Sequence, residues 1–240
     1  CELEFSARGA LPGVAFAGER CRGVVEGFVD RVDVWQSGGR PYVRVVDYKT
    51  GKKSFDYTNV LHGRGLQMLL YLFALVRQGG HLLHGEPLPA GVLYFPARIE
   101  RVSVRDRLAQ AEIEKERRKQ LRRSGVLLNS DPVLEAMEPC GGSPRFLPYA
   151  LDKEGRKTGD LASFVQLAQL ERFVFRTVAA LGDELADGRI DPDPCIRDAK
   201  DSACAFCPYS EICAGHEQPR WLKKITAEEF WQTLERREHG

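Results

Sequence analysis

Two aspartates and a lysine lie at the ends of neighbouring hydrophobic segments of this sequence. Asp30 follows the apolar residues of one segment, and Asp47 and Lys49 follow those of the next. Carboxylate oxygens are ligands that Mg²⁺ prefers, and two of them leave positions for water and a phosphate oxygen. A lysine beside such a centre can orient the attacking water and stabilise the charge that develops on the phosphate. The pattern therefore predicts a metal-dependent phosphodiesterase site.

The two segments that carry these residues are predicted to form a β-hairpin. Residues 24–34 and 42–48 are rich in valine and aromatic residues, and residues 36–41 between them contain the turn signal Gly-Gly. Because side chains alternate along a strand, Asp47 and Lys49 are expected on one face, together with Val43 and Val45. Asp30 comes from the partner strand and is expected to meet Asp47 across the strand pair.

Other elements follow from the spacing of apolar residues. Residues 63–78 predict a helix in which Gln67 and Tyr71 lie four residues apart, on the same face. The remaining predicted elements are a buried strand over 90–96, a charged helix over 105–123, an amphipathic helix over 160–187 that ends before Gly188, and a short helix opened by a capping box at 226–229.

Composition limits the class of protein. The chain has 240 residues, of which 43% are hydrophobic, so it can bury one main core with a small appendage. No apolar run is long enough to span a bilayer and no signal peptide is visible, so we expect a cytoplasmic protein. The net charge is only +1, so any phosphate-binding surface must be local. The sequence opens at Cys1 in a predicted strand and is expected to be a fragment of something longer.

Three of the seven cysteines are crowded near the C-terminus. Cys204, Cys207 and Cys213 have the spacing C-x2-C-x5-C, which lets three thiolates converge on one centre. An odd number of cysteines with this spacing favours metal or cluster ligation in a reducing compartment over a disulfide framework. Zinc is one alternative, with Cys195 or His216 as the fourth ligand.

Basic residues are frequent between Arg98 and Arg123. Such a run could follow a nucleic-acid backbone. The glutamates Glu112, Glu114 and Glu116 alternate with the basic residues, and this alternation favours a solvated helix face instead.

The sequence predicts a strand, a second strand and a helix, in that order. These elements carry Asp30, Asp47-x-Lys49 and Gln67-x3-Tyr71, respectively. This arrangement resembles the core of the PD-(D/E)XK nucleases, in particular their RecB-like branch. The cysteine triplet and residues 145–190 before it resemble the AddB (RexB) branch of the same family. The resemblance covers nearly all of the chain. It implies an α/β fold with a central mixed sheet flanked by helices, a nuclease core over 1–190, and a cysteine-rich tail over 191–240.

The resemblance assigns catalytic roles to the residues that match the family's motifs. Asp30 and Asp47 would ligate Mg²⁺, for which Mn²⁺ could substitute, together with the backbone carbonyl of Tyr48. Lys49 would lie beside the attacking water. These assignments agree with the chemistry of the residues, since Mg²⁺ prefers hard oxygen ligands and retains several waters.

Three further motif residues have roles that are implied less directly. Gln67 and Tyr71 would orient the site and contact DNA, as in the family's Q-x3-Y helix. Asp33 belongs to the same motif as Asp30 without a clear catalytic role. As an alternative, Asp33 could form an ion pair with Arg31 or Arg44 at the strand edge.

In the AddB branch the cysteine triplet holds a [4Fe-4S] cluster together with one cysteine far upstream of the nuclease strands. The resemblance therefore favours iron and sulfur over zinc at Cys204, Cys207 and Cys213. Cys1 directly precedes the first strand and is not where that upstream cysteine is expected. The family's upstream helix, which contributes a further acidic or histidine residue, is also not recognised. In a fragment, the cluster is therefore expected to be absent or incomplete and catalysis to be impaired.

The implied function is a Mg²⁺-dependent DNA exonuclease domain of a helicase-nuclease that processes double-strand breaks for recombinational repair. Its substrate would be single-stranded DNA ends, its partner an AddA-like helicase-nuclease subunit, and no membrane would be involved. Two other classes stay open. One is a stand-alone RecB-like iron-sulfur exonuclease of the CRISPR-adaptation type, and the other is a non-catalytic DNA-binding module with a zinc knuckle.

Overall fold

Residues 2–51, 54–101, 110–197, 202–213 and 219–239 are described by a computed structural model of the protein. Cys1 and His216 lie outside these residues, as does part of the charged helix predicted over 105–123. The chain divides into two units: the first comprises residues 1–15, 24–55 and 66–175, and the second comprises 16–23, 56–65 and 176–240. The sequence-based boundary between core and tail at residue 190 stays a prediction.

Among the described residues, six strands come first, three helices follow, and strands and helices are mixed in the rest of the chain. The strands are β1 (Leu3–Phe5), β2 (Val14–Ala17), β3 (Arg22–Val25), β4 (Gly27–Val29), β5 (Arg31–Ser37), β6 (Arg40–Lys49), β7 (Leu88–Pro96), β8 (Ser124–Leu128), β9 (Tyr149–Leu151), β10 (Lys157–Gly159), β11 (Leu161–Ala162), β12 (Cys195–Ile196) and β13 (Arg220–Trp221). The helices are α1 (Tyr57–Leu61), α2 (Gln67–Gln78), α3 (Gly80–Leu83), α4 (Gln110–Gln120), α5 (Asp131–Met137), α6 (Phe164–Ala186) and α7 (Ala227–His239), with a 3-10 turn at Ala203–Phe206.

A five-stranded mixed sheet forms the centre of the first unit, with the strand order β11-β8-β7-β6-β5. The pairs β6/β7 and β8/β11 are parallel, whereas β5/β6 and β7/β8 are antiparallel. Helix α2 packs on β6 and β7, and α5 packs on β8. The apolar side chains between these layers are buried, which stabilises the sheet. The predicted α/β fold with a mixed sheet flanked by helices is confirmed.

The hairpin formed by β5 and β6 has a shorter turn than the sequence predicted. Its strands continue to Ser37 and resume at Arg40, so that only Gly38 and Gly39 form the turn. Both glycines have positive φ, +57° and +75°, as a two-residue turn that matches the twist of antiparallel strands requires. The predicted hairpin is confirmed, and both of its strands extend closer to the turn than the sequence predicted.

The strand predicted over residues 24–34 is interrupted. The chain leaves strand conformation at Glu26 and at Asp30, which divides it into β3, β4 and β5. Strand β4 pairs with β1, whereas β5 pairs with β6. Asp30 therefore lies where the chain passes from one strand partner to another, and a local sequence pattern does not report such a change of partner.

Two predicted helices have different limits in the structure. The helix predicted over 63–78 begins only at Gln67, because Gly63 and Gly65 have left-handed φ values of +75° and +68° that a helix does not allow. The helix predicted over 160–187 begins at Phe164. Residues 161–162 instead pair with β8 as the edge strand β11.

In the second unit, the capping box before α7 is confirmed. The backbone N–H of Thr226 donates to Glu229 Oε2 at 2.7 Å, and the backbone N–H of Glu229 donates to Thr226 Oγ1 at 3.2 Å. Phe230 on this helix is buried, and its ring centroid lies 5.1 Å from that of Tyr57 on α1. Among the described residues, no helix combines the length and apolarity needed to cross a bilayer.

Candidate active site

Asp47 and Lys49 lie at the C-terminal end of β6, between the neighbouring strands β5 and β7. Their side chains point to the same side, as predicted, and Lys49 Nζ is 2.5 Å from Asp47 Oδ2. The Asp47 side chain is 17% exposed and that of Lys49 is 28% exposed. The pair is thus partly shielded from water yet still reachable by a ligand.

The Oδ2 atom of Asp47 is buried and, within the part of the chain that is described, accepts no hydrogen bond. Its contact with Lys49 is an ion pair whose geometry is not that of a hydrogen bond. A buried carboxylate oxygen without a hydrogen bond is costly unless a cation compensates it. Lys49 Nζ supplies one such cation, and the oxygen, which lacks a hydrogen bond, also fits a ligand position for a divalent cation.

Asp30 is brought close to the same strand end. Its Oδ2 atom accepts a hydrogen bond from the backbone N–H of Tyr48 at 3.0 Å, so the carboxylate adjoins the residue between Asp47 and Lys49. Among the described residues, no group of three or more His, Cys, Asp or Glu side chains stands ready to hold a metal ion. The predicted set consists of two carboxylates and the backbone carbonyl of Tyr48, and its role in metal binding stays a prediction.

Asp33 accepts hydrogen bonds from both arginines that were considered as its partners. Arg31 Nε lies 2.5 Å from Asp33 Oδ1, and Arg44 Nη2 lies 2.5 Å from Asp33 Oδ2. Arg31 also donates from Nη1 to the hydroxyl of Tyr48 at 2.9 Å. Together with the Asp30 contact, these bonds hold both the backbone and the side chain of Tyr48. Asp33 therefore acts on the site through Arg31.

Burial alone would raise the pKa of Asp33, but hydrogen bonds from Arg44 and Arg31 outweigh it and hold the pKa below its ordinary value. A carboxylate with a depressed pKa stabilises the fold above the unfolded pKa, and this contribution is lost as the pH falls through the folded pKa. We therefore expect Asp33→Asn to lower the free energy of unfolding by about 1 to 2 kcal/mol at neutral pH and by less in acid. Urea unfolding as a function of pH measures both.

Glu114→Gln is the matched control, because Glu114 forms an ion pair with Arg118 at 3.2 Å in which both side chains are 49% exposed. Exposed pairs contribute little to stability, so this variant should differ from the parent by less than about 1 kcal/mol. A loss for Asp33→Asn that is equally large in neutral and acidic solution would show that the carboxylate charge is not its cause.

Gln67 and Tyr71 form a second pair, on helix α2. Gln67 Nε2 donates to the hydroxyl of Tyr71 at 3.3 Å. Tyr71 is only 4% exposed, and its ring stacks on that of Phe5 with centroids 5.2 Å apart. A Cβ atom placed on Gly27 would lie 2.0 Å from the Tyr71 hydroxyl oxygen, so this glycine lets the helix and β4 approach closely. The burial of Tyr71 favours the predicted orienting role over direct contact with DNA.

Tyr94 is a neighbour of Asp47 that the sequence patterns did not single out. It lies opposite Asp47 in the parallel β6/β7 ladder. Burial, together with the charge of Asp47, raises the pKa of Tyr94 to about 12, so its phenol stays protonated near the carboxylate. Tyr94 could have been found from the register between β6 and β7. These strands lie far apart in the sequence, and a single sequence does not reveal their register.

The cysteine triplet lies in the second unit. Cys204 is part of the 3-10 turn, Cys207 follows it and donates its backbone N–H to the carbonyl of Cys204 at 3.2 Å, and Cys213 follows six residues later. These three side chains are half-buried, but within the described residues they do not converge into a metal-binding group. The sulfur of Cys195, considered as a zinc ligand, accepts a hydrogen bond from Arg220 at 2.9 Å.

The chain is similar to curated proteins that are each named as the B subunit of an ATP-dependent helicase/deoxyribonuclease. It is 36% identical over 217 residues to the protein of Moorella thermoacetica, covering 89% of this chain and 19% of that protein. It is 30% identical over 226 residues to that of Clostridium perfringens, covering 90% and 19%, and 31% identical over 197 residues to that of Oceanobacillus iheyensis, covering 79% and 17%. The chain thus spans about a fifth of these relatives' length.

Residues 2–214 match the family model described as the PD-(D/E)XK nuclease superfamily. The match includes both strands of the hairpin, the Gln67 to Tyr71 helix and the cysteine triplet. The resemblance inferred from the sequence is confirmed, as is its extension to the B subunits of helicase-nucleases. On the match over most of its length, the chain belongs to the PD-(D/E)XK nuclease superfamily.

Proposed function

We propose that this chain is a Mg²⁺-dependent DNA exonuclease domain that hydrolyses phosphodiester bonds at the end of β6. The observation that carries the proposal is the buried Oδ2 atom of Asp47, which accepts no hydrogen bond from the described residues and lies 2.5 Å from Lys49 Nζ. An acidic ligand atom beside a cation is the arrangement that metal-assisted hydrolysis of a phosphate ester requires.

Each residue of the site has a distinct part in this proposal. Asp30, Asp47 and the backbone carbonyl of Tyr48 would hold the cation, which when bound supplies Lewis-acid chemistry and lowers the pKa of a water molecule. Lys49 donates hydrogen bonds from Nζ to the attacking water and attracts the negatively charged phosphate. The backbone N–H of Tyr48 fixes the carboxylate of Asp30 so that its second oxygen can face the cation.

The wider role rests on the names of the relatives. Those proteins are each called the B subunit of an ATP-dependent helicase/deoxyribonuclease. We infer that this chain acts on single-stranded DNA ends within a helicase-nuclease in the cytoplasm, together with an AddA-like helicase-nuclease partner. Processing of double-strand breaks for recombinational repair is the role that this assembly would serve.

The cysteines support a further part of the proposal, a [4Fe-4S] cluster held by Cys204, Cys207 and Cys213 with a fourth ligand from elsewhere. Its support is the C-x2-C-x5-C spacing and the similarity to the helicase/deoxyribonuclease B subunits. The described residues alone do not form the ligand set, because these sulfurs do not converge.

The experiment that tests the proposal follows cleavage of an end-labelled single strand by the purified chain. Cleavage is expected with Mg²⁺, should stop when EDTA removes the metal, and should return when Mg²⁺ or Mn²⁺ is added in excess. A circular single strand should stay intact, because an exonuclease needs an end. DNA binding without metal-dependent cleavage would contradict the proposal and favour a non-catalytic module. Metal analysis of the same preparation tests the cluster: iron with sulfide supports it, and stoichiometric zinc overturns it.

A further inference from the structure

A cleft of about 380 Å³ opens beside Lys49 in the first unit. It begins at the catalytic strand end and extends toward residues that the proposed chemistry does not use. Its lining residues are Lys49, Thr50, Gly51, Ser54, Tyr94, Pro96, Arg98, Glu100, Gln120, Arg122 and Ser124. Three of these carry a positive charge and one a negative charge, so the lining is positively charged overall.

Two arginines form the part of the wall that lies outside the catalytic motifs. Arg98 follows the end of β7, and Arg122 lies between α4 and β8. Both residues are exposed. Arg122 donates a hydrogen bond from Nη2 to the carbonyl of Tyr149 at 3.2 Å, which orients its guanidinium group in the cleft. The backbone N–H of Glu100 donates to Gln120 Oε1 at 2.8 Å, so the loop that carries Arg98 is tied to the end of α4.

Two basic residues on helix α4 have a different environment. On α4, Arg118 forms an ion pair with Glu114 at 3.2 Å, and Lys119 forms one with Glu116 at 2.5 Å. The basic run between residues 98 and 123 is thus divided. Helix α4, the part of the run that the structure describes as helical, has a solvated face with ion pairs to glutamates, as its composition predicts, whereas Arg98 and Arg122 near the two ends of the run face the cleft.

We propose that Arg98 and Arg122 bind the backbone phosphates of a nucleic-acid single strand next to the phosphate attacked at Asp47 and Lys49. This inference rests on the proposed nuclease function and adds the path that the strand follows. Guanidinium groups suit this role because their planar array of N–H donors matches two phosphate oxygens at once. The contact is independent of base sequence, as an exonuclease that degrades any strand requires.

The size of the cleft selects a single strand over a duplex. A volume of about 380 Å³ is that of a small-molecule site and accommodates a short stretch of one strand. The major groove of a duplex alone is about 12 Å wide, so a whole duplex needs a much larger surface. We therefore expect a strand end to enter the cleft once it has been separated from its complement.

The test measures binding of a labelled oligonucleotide by fluorescence anisotropy, with Asp47→Ala as the common background so that the strand stays intact. In the 240-residue chain, Arg98→Ala combined with Arg122→Ala should weaken single-strand binding by at least about tenfold. The slope of log K against log salt should fall by about 1.4 in magnitude, since each phosphate contact to a single strand contributes about 0.7. Binding to a blunt duplex should be unchanged.

Arg117→Ala combined with Arg118→Ala is the control, since it removes the same charge from the solvated face of α4 and should leave single-strand binding nearly unchanged. Arg122→Lys keeps the charge but loses the planar array of donors, so it should bind the single strand more weakly than Arg122 and more tightly than Arg122→Ala. Arg98→Ala alone changes an exposed loop and should also weaken single-strand binding. Its effect therefore does not depend on whether the double variant folds. Equal weakening by the cleft pair and the control pair, or equal weakening for single strand and duplex, would overturn the inference. Cleavage that survives Asp47→Ala would refute the proposed function instead.

Discussion

Replacement of Asp47 or Lys49 by alanine is expected to reduce Mg²⁺-dependent cleavage of single-stranded DNA by at least about a thousandfold. The two side chains meet at 2.5 Å at the end of a central strand, and Asp47 has a buried oxygen that fits a cation. Loss of the carboxylate removes a ligand position, and loss of the lysine removes the positive charge that attracts the phosphate. Initial rates under saturating substrate measure both effects.

The same substitutions separate catalysis from folding. Asp47 Oδ2 is buried without a hydrogen bond from the described residues, and Lys49 Nζ compensates its charge at 2.5 Å. Asp47→Ala removes this carboxylate but leaves Lys49, which is 28% exposed and can be solvated, so in EDTA the free energy of unfolding should change by no more than about 1 kcal/mol, as measured by urea denaturation. A large loss of activity with little loss of stability is the pattern of a functional site rather than a structural one.

Asp131 and Lys157 provide the matched control. They form another aspartate-lysine ion pair in the same unit, with Asp131 largely exposed. Asp131→Ala and Lys157→Ala should leave the cleavage rate within about twofold of the parent, because Asp131 follows the C-terminal end of β8, whereas the register places Asp47 beside the N-terminal end of that strand through β7. If Asp47→Ala and Lys49→Ala cut DNA as fast as the parent chain, these residues take no part in the reaction.

The strand that carries Asp47 and Lys49 could be predicted because its signals are local. Alternation of side chains placed Asp47 and Lys49 on one face, and the Gly-Gly turn specified the hairpin that carries them. The Gln67 to Tyr71 hydrogen bond likewise follows from the four-residue repeat of a helix. Each of these features depends on residues within a few positions of one another.

Features that depend on distant parts of the chain were not predicted. The interruption at Asp30 arises because β4 pairs with β1 whereas β5 pairs with β6. Tyr94 meets Asp47 only through the register of β6 and β7, and Arg98 and Arg122 meet in one cleft although they lie far apart in the sequence. Hydrophobic patterns identify elements but carry no information about which elements become neighbours.

Gly27 provides a sharp test of how helix α2 is fixed against the strand that leads to Asp30. A Cβ atom at this position would lie 2.0 Å from the Tyr71 hydroxyl oxygen and 3.1 Å from the ring carbon that bears it. The ring cannot move away easily, because it is buried and stacked on Phe5. Gly27→Ala is therefore expected to destabilise the chain by up to about 3 kcal/mol, the cost of overpacking. It should also slow cleavage, since Asp30 follows shortly after it in the chain.

Tyr71→Phe removes the atom responsible for the closest contact and should partly rescue Gly27→Ala. Alone, Tyr71→Phe loses the hydrogen bond from Gln67 and should cost about 1 kcal/mol. The double variant should be less destabilised than the sum of the two single variants, a coupling that a double-mutant cycle by urea denaturation measures. Gly142→Ala is the control, because a Cβ atom there meets nothing closer than 3.9 Å. Strict additivity of Gly27→Ala and Tyr71→Phe would mean that helix α2 is not held at this distance from β4 by the contact between Gly27 and Tyr71.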